Sequence, residues 1–131
     1  MVIDTSAIIA ILWSEADASR FAEAIEREAN CCVSAATYVE LAIVADGAKR
    51  PTPARDFDLL FERGGIRVEP FTPGQAQIAR QAHQRYGRGS GHPARLNFGD
   101  CFSYALAVDL GHPLLFKGGD FAQTDVVPAL A

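Results

Sequence analysis

"MVIDTSAIIAIL", residues 1 to 12, runs three apolar residues into an acid and then into a mostly apolar segment. Met1-Val2-Ile3 reads as a strand, and Ser6 to Leu12 as a short helix opening almost at once. An acid at such a junction places a charge where a buried strand empties into a helix. The same alternation recurs outward from it. Cys31 to Ala35, Ile66 to Val68 and Pro113 to Phe116 read as further strands, with Val126-Val127 a candidate fifth. Helical patterns fill the intervals, which is the pattern of β-α-β units around a parallel sheet. The fold class is α/β.

Local signals set the expected boundaries. Asp17 to Ala29 carries Phe21, Ala24, Ile25 and Glu28 at two-faced helical spacing. Thr37 to Ala48 is a helix with Thr37 as its expected N-cap. Prolines 51 and 53 break the chain, and Ala54 to Glu62 forms a helix ended by Gly64-Gly65. Thr72-Pro73 is a cap and first-turn pair for a helix to Tyr86. "GRGSGHPAR", residues 87 to 95, is a polar, basic loop. Asn97 caps a helix running to Leu110, and Gly111 stops it. No linker interrupts the 131 residues, which predicts one domain over 1–131.

Composition bounds the function classes. The chain is 49% hydrophobic and 21% charged, values ordinary for a globular protein. Its longest unbroken apolar stretch, Ala7 to Trp13, is far short of the roughly 20 residues of a membrane span. With no basic, cleavable leader before the first strand, the expected location is the cytoplasm, away from membranes. Cys31 and Cys32 are adjacent and poorly placed to pair, and Cys101 is left over, so buried thiols in a reducing compartment are expected. His83, His92 and His112 lack metal-ligand spacing, and there is no CxxC.

The acids carry the functional signal. Ligands of an open parallel sheet bind at the carboxyl ends of its strands. Asp4 follows strand one directly, and Glu40 lies in the first turns of the helix after strand two. Asp100 lies in the first turn of its helix, and Asp120 follows strand four across Gly118-Gly119. Each has a plainer reading as well: Asp4 can cap the first helix, Asp100 can favour its helix dipole, and Asp120 can be a turn residue. Glu40 is harder to read as a solvated charge, because Ala36, Thr37, Ile43 and Val44 surround it one turn away.

Two like charges about 4 Å apart repel by roughly 4 kcal/mol at an effective dielectric near 20. Converging carboxylates therefore protonate in part or hold a cation. Oxygen-only ligands select a hard divalent ion, Mg²⁺ or Mn²⁺, whose chemistry is hydrolysis of phosphodiesters. The net charge of −4 then looks different. Setting four of the 16 acids aside leaves 12 against 12 Lys plus Arg. An acidic balance of this origin does not exclude nucleic acid, but it predicts binding through the site and a few nearby cations. Arg88 and Arg95, with Arg85, flank the glycine-rich loop before Asp100, and Lys117 ends strand four; Arg88, Arg95 and Lys117 are the candidate nucleic-acid contacts. No GxGxxG or GxxxxGK[ST] phosphate loop occurs.

On these residues the chain resembles a PIN-domain ribonuclease, and more closely the VapC toxins of bacterial toxin–antitoxin pairs. "MVIDTSAIIAIL" resembles that family's opening strand with its first acid, Asp4, and "YVELAIV" its second, Glu40. "LNFGDCFSYALA" resembles the segment of the third, Asp100, and "LLFKGGDFAQTDV" the closing segment, with Asp120. The resemblance spans essentially the whole chain. It implies a three-layer α/β/α PIN-like domain with a central parallel sheet of four to five strands. It further implies a Mg²⁺- or Mn²⁺-dependent endoribonuclease that cuts structured RNA (tRNA or rRNA) and inhibits translation. Asp4 and Asp100 would be metal ligands; Glu40 and Asp120 would act through water, with Thr5 and Ser6 behind them. A homodimer and a hetero-oligomer with a VapB-type antitoxin are implied partners. In that family the residue before the fourth acid is often Asn or Asp, and here it is Gly119.

Two other classes remain for comparison. A PIN-like module without catalysis, binding RNA or protein, has no need to keep four like charges together. A haloacid-type phosphatase wants an acid two residues after the first Asp, where this chain has Ser6. A phospho-receiver wants an Asp after strand three, where it has Glu69-Pro70.

Overall fold

In the computed structural model, residues 1–49 and 52–131 are described; the break expected at Pro51 lies outside them. The elements are β1 (Val2–Ile3), α1 (Thr5–Leu12), α2 (Ala18–Arg27), β2 (Cys32–Ser34), α3 (Ala35–Asp46), α4 (Thr52–Gly64), β3 (Arg67–Glu69), α5 (Pro73–Tyr86), α6 (Phe98–Leu110) and β4 (Leu114–Leu115). A single 3-10 turn, Phe121–Gln123, follows β4. The four strands pair in parallel in the order β3-β2-β1-β4.

Alternation along the strands builds three layers, because successive side chains leave a strand on opposite faces. Met1, Ile3, Cys31, Val33 and Leu115 join Ile8, Phe21, Ile25, Leu41 and Phe57 in one core, beneath α1 to α4. Val2, Cys32 and Leu114 join Ala79, Tyr86, Leu96 and Leu106 in the other, beneath α5 and α6. All three cysteines are free and buried, and burial pushes each thiol pKa up. No helix of the described residues is long and apolar enough to cross a membrane.

Helix ends follow the cap chemistry, with corrections. Thr72 Oγ1 accepts from the Gln75 amide, and Gly111 closes α6 in the left-handed region at φ 65°. The cap of α3 is Ser34 rather than Thr37: its hydroxyl accepts from the Ala36 amide, so β2 ends at Ser34 and α3 begins earlier than expected. Thr37 is buried inside the first turn. Pro53 does not break α4. It lies in the first turn, where the amide it lacks would have had no helical partner. The fifth strand does not form. Val127 accepts from the Leu114 amide, but the pairing amounts to one parallel bridge, Leu114 with Pro128.

The strand order positions the site. From β1 the chain moves outward to β2 and β3, then returns to β4 on the other side of β1. The order reverses between β1 and β4, and the carboxyl ends of strands at such a switch point are where an open parallel sheet binds its ligands.

Candidate active site

Asp4 is the first residue past β1, at that switch point, and it is buried. Its carboxylate caps α1, with Oδ2 accepting from the Ser6 amide at 3.0 Å and from the Ser6 hydroxyl at 2.7 Å. Oδ1 accepts from the Ser103 hydroxyl at 2.6 Å. The Ser6 hydroxyl in turn accepts from the Lys117 backbone amide, which ties the end of β4 to the same carboxylate. The capping role and the site role thus coexist in one side chain.

Ser103 was not expected from the sequence. It is fully buried on α6, three residues beyond Asp100, so both side chains leave neighbouring faces of the helix one turn apart. The one available signal was a hydroxyl inside the otherwise apolar "CFSYALA".

Asp100 is half-buried in the first turn of α6. Asn97 and Asp100 form a reciprocal capping box: Asn97 Oδ1 accepts from the Asp100 amide and Asp100 Oδ2 from the Asn97 amide, each at 2.9 Å. The Asp100 carboxyl is nevertheless pushed up to about 6. Desolvation is the largest cause, the bond from the Asn97 amide opposes it, and the charges of Asp4, Asp120 and Glu40 raise it further. Asp4, Asp120 and Glu40 therefore each lie within electrostatic reach of Asp100.

Glu40 projects from α3 into solvent, and its Oε1 accepts from the Thr5 hydroxyl at 2.8 Å. It leans over Gly99, where a Cβ would collide with its carboxylate. Glycine directly before Asp100 thus leaves room for the Glu40 carboxylate where it now lies. Of the neighbours expected around Glu40, Thr37 is buried while Ile43 and Val44 reach solvent, and so does Val39. Asp120 is exposed at the start of the 3-10 turn and makes no capping bond.

Among the described residues, no three His, Cys, Asp or Glu side chains converge as a ready-made metal cage. A hard ion such as Mg²⁺ needs none, since it keeps several waters and uses one or two carboxylates. Asp4 and Asp100 could serve as such carboxylates, since both offer oxygen-only donors and Asp100 feels the like charges of Asp4, Asp120 and Glu40.

The candidate cations divide. Arg88 and Arg95 are exposed on the loop before α6; the loop is pinned at its neck by bonds between Arg88 and Leu96 and between Leu96 and Tyr86. Lys117 instead directs its ammonium to Glu15 and, at 3.1 Å, to Asp17. Arg85 approaches Asp125 at 3.9 Å and covers the Tyr86 ring. Asp125 accepts from the Tyr104 hydroxyl at 2.6 Å; burial, then that bond, pushes the Tyr104 phenol up.

Comparison with known proteins fits this geometry. The PIN-domain family model matches residues 1–127. The chain is 52% identical over 130 residues to ribonuclease VapC28 of Mycobacterium tuberculosis, covering 99% of this chain and 98% of that protein. Ribonuclease VapC42 of the same species is 51% identical over 129 residues, 98% of each chain. Ribonuclease VapC30 is 45% identical over 126 residues, 96% of this chain and 95% of its own. The chain belongs to the PIN-domain family, in the group of VapC ribonucleases.

Proposed function

We propose that this VapC-type toxin endoribonuclease hydrolyses RNA phosphodiesters at the site formed by Asp4, Glu40, Asp100 and Asp120. One observation carries the assignment of the site: the Asp100 carboxyl is raised first by burial and then by the charges of Asp4, Asp120 and Glu40 near it. Unneutralised carboxylates held in range of Asp100 at a switch point serve binding of a cation better than they serve stability.

Asp4 and Asp100 would hold a hard divalent ion, Mg²⁺ or Mn²⁺. When bound, such an ion supplies Lewis-acid chemistry, lowering the pKa of water and offsetting charge on the phosphate. The chain's own groups do the rest. Ser6 and Ser103 fix the Asp4 carboxylate in one orientation. Thr5 steadies Glu40, which with Asp120 faces solvent and is placed to orient a water. Arg88 and Arg95 are placed to meet the RNA backbone. The substrate class is structured RNA, tRNA or rRNA, and its cutting inhibits translation. A VapB-type antitoxin and a second copy of the chain are the proposed protein partners; the apolar strip Val39, Ile43 and Val44 beside Glu40 is the kind of surface a protein covers. The working unit is a single domain acting in the cytoplasm.

The test is cleavage of total RNA with Mg²⁺ or Mn²⁺ by the wild type and by Asp4→Asn and Asp100→Asn. Both variants are expected to fold, lose cleavage and relieve growth arrest. Full toxicity in either would sink the assignment. A wild type that neither binds Mn²⁺ nor cuts RNA would point to a non-catalytic RNA- or protein-binding module instead.

A further inference from the structure

The flank of α6 that faces α5 carries a hollow of another character. Phe71, Phe98 and Phe102 wall a cleft of about 280 Å³ with Ala79 at its base and Arg80 and His83 at its rim. Phe102 meets Phe71 edge-on at 4.9 Å and Phe98 edge-on at 4.8 Å, which makes a row of three rings. Phe98 ends the row and is 78% exposed. Arg80 also borders a second hollow along α5, shared with Gln77, Gln81 and Gln84. The surface thus runs from aromatic rings to a guanidinium to three amides. No carboxylate lines either hollow among the described residues.

We propose that this cleft receives one base of the RNA strand, stacked on Phe98, while the adjoining backbone follows Arg80 and the glutamines of α5. The inference rests on the ribonuclease reading and names how that site grips its strand. A base offers an apolar π-face that stacks on an exposed ring, and its phosphates seek cations and amide donors. The sequence of chemistries along the surface matches that order. Phe98 stands two residues before Asp100, so their Cα atoms lie within about 7.6 Å of each other. Side chains two residues apart on a helix leave it on different faces, so a base on Phe98 belongs to a nucleotide flanking the one being cut. The need for such a grip follows from charge. Four acids beside the scissile phosphate repel the backbone, and a chain of net charge −4 has no broad basic surface to compensate. Stacking holds the strand without charge.

The probe is a mixed-sequence single-stranded RNA decamer carrying one 2-aminopurine, whose fluorescence falls on stacking, titrated in EDTA so that nothing is cut. Wild type is expected to quench it. Phe98→Ala should bind about tenfold more weakly, within the range that loss of one stacked base costs, and should lose the quenching. Phe98→Tyr should keep both. Phe98→Leu keeps apolar bulk without a ring and should behave as Ala does. In a parallel assay on long RNA with Mn²⁺, Phe98→Ala should raise KM and leave kcat nearly unchanged, since a uniform binding contact is removed. Because Phe98 is mostly exposed, its circular dichroism should match wild type.

Unchanged affinity and quenching in Phe98→Ala would overturn the proposal while RNA cutting by the wild type kept the ribonuclease reading intact. Phe98→Leu binding as well as wild type would overturn stacking. A variant that changes sedimentation but not RNA affinity would make the cleft a protein interface, and overturn it too. Loss of quenching in Phe98→Ala with a wild type that cuts no RNA would support the cleft and sink the ribonuclease reading alone.

Discussion

Asp4 and Asp120 follow neighbouring parallel strands at the same edge of the sheet, yet their surroundings differ in kind. Asp4 is buried, and both its oxygens are bonded, by Ser6 and by Ser103. Asp120 is exposed after two glycines and caps nothing. One side of the site is fixed before any ligand arrives; the other is free to adjust. Ligand-orienting partners matter most where they are locked by packing, so the largest losses are expected on the Asp4 side.

Ser103→Ala is the sharpest test of that asymmetry. It strips one oxygen of a buried carboxylate of its donor, which costs about 1–3 kcal/mol of stability. Cleavage should fall about 10- to 100-fold, the range for a group that orients a metal ligand. Urea unfolding and RNA cleavage measure the two effects. A variant as stable and active as wild type would show that Asp4 needs no such support.

Asp100 lies between the two extremes, and its charge works against the fold. Its pKa is raised, so the folded state holds the proton more tightly than the unfolded chain does. The stability this contributes is complete below about pH 4, near the unfolded value, and is lost as pH rises through about 6. Asp100→Asn in EDTA should therefore match wild type near pH 4 and become more stable above pH 6. The gain, discounted for partial exposure, is on the order of 1 kcal/mol, while activity disappears. Denaturation midpoints against pH read it directly; equal midpoints at pH 8 would argue against a carboxyl raised by burial and neighbouring charge.

Sequence reached unequal depths across these regions. Strand alternation, Asn97, the Thr72-Pro73 pair and Gly111 were legible because each acts within a turn of its own position. The placing of Asp4 and Asp120 beyond neighbouring strands was legible too, because parallel topology brings the carboxyl ends of β1 and β4 together. Ser103 was not, since the carboxylate that gives it a role lies 99 positions away. Ser34 and Thr37 are both good caps in sequence, and only the end of β2 decides between them. Val126-Val127 has the composition of a strand, but Pro128 follows it and only one bridge forms.

Asp120→Asn belongs to the adjustable side and should cost little stability, since no bond is lost. Cleavage should fall less than in Asp4→Asn or Asp100→Asn. Parity with those variants in a cleavage assay would show that the open side is as demanding as the buried one.

The smallest effect is expected at Lys117, and it separates a cation that is near the site from one that is available to it. Lys117 lies on the β4 side, but Glu15 and Asp17 already take its ammonium, and their bonds raise its pKa. A cation so occupied releases few counterions from an incoming RNA, because the acids beside it oppose the phosphate. Arg88, exposed on the loop before α6, has no such pairing among the described residues. Measured as the slope of log affinity against log salt, Arg88→Ala should lower the slope by about one phosphate contact. Lys117→Ala should leave it nearly unchanged. If the two variants lose equal slope, RNA displaces the Glu15 and Asp17 partners on binding, and the ion pairs yield to the substrate.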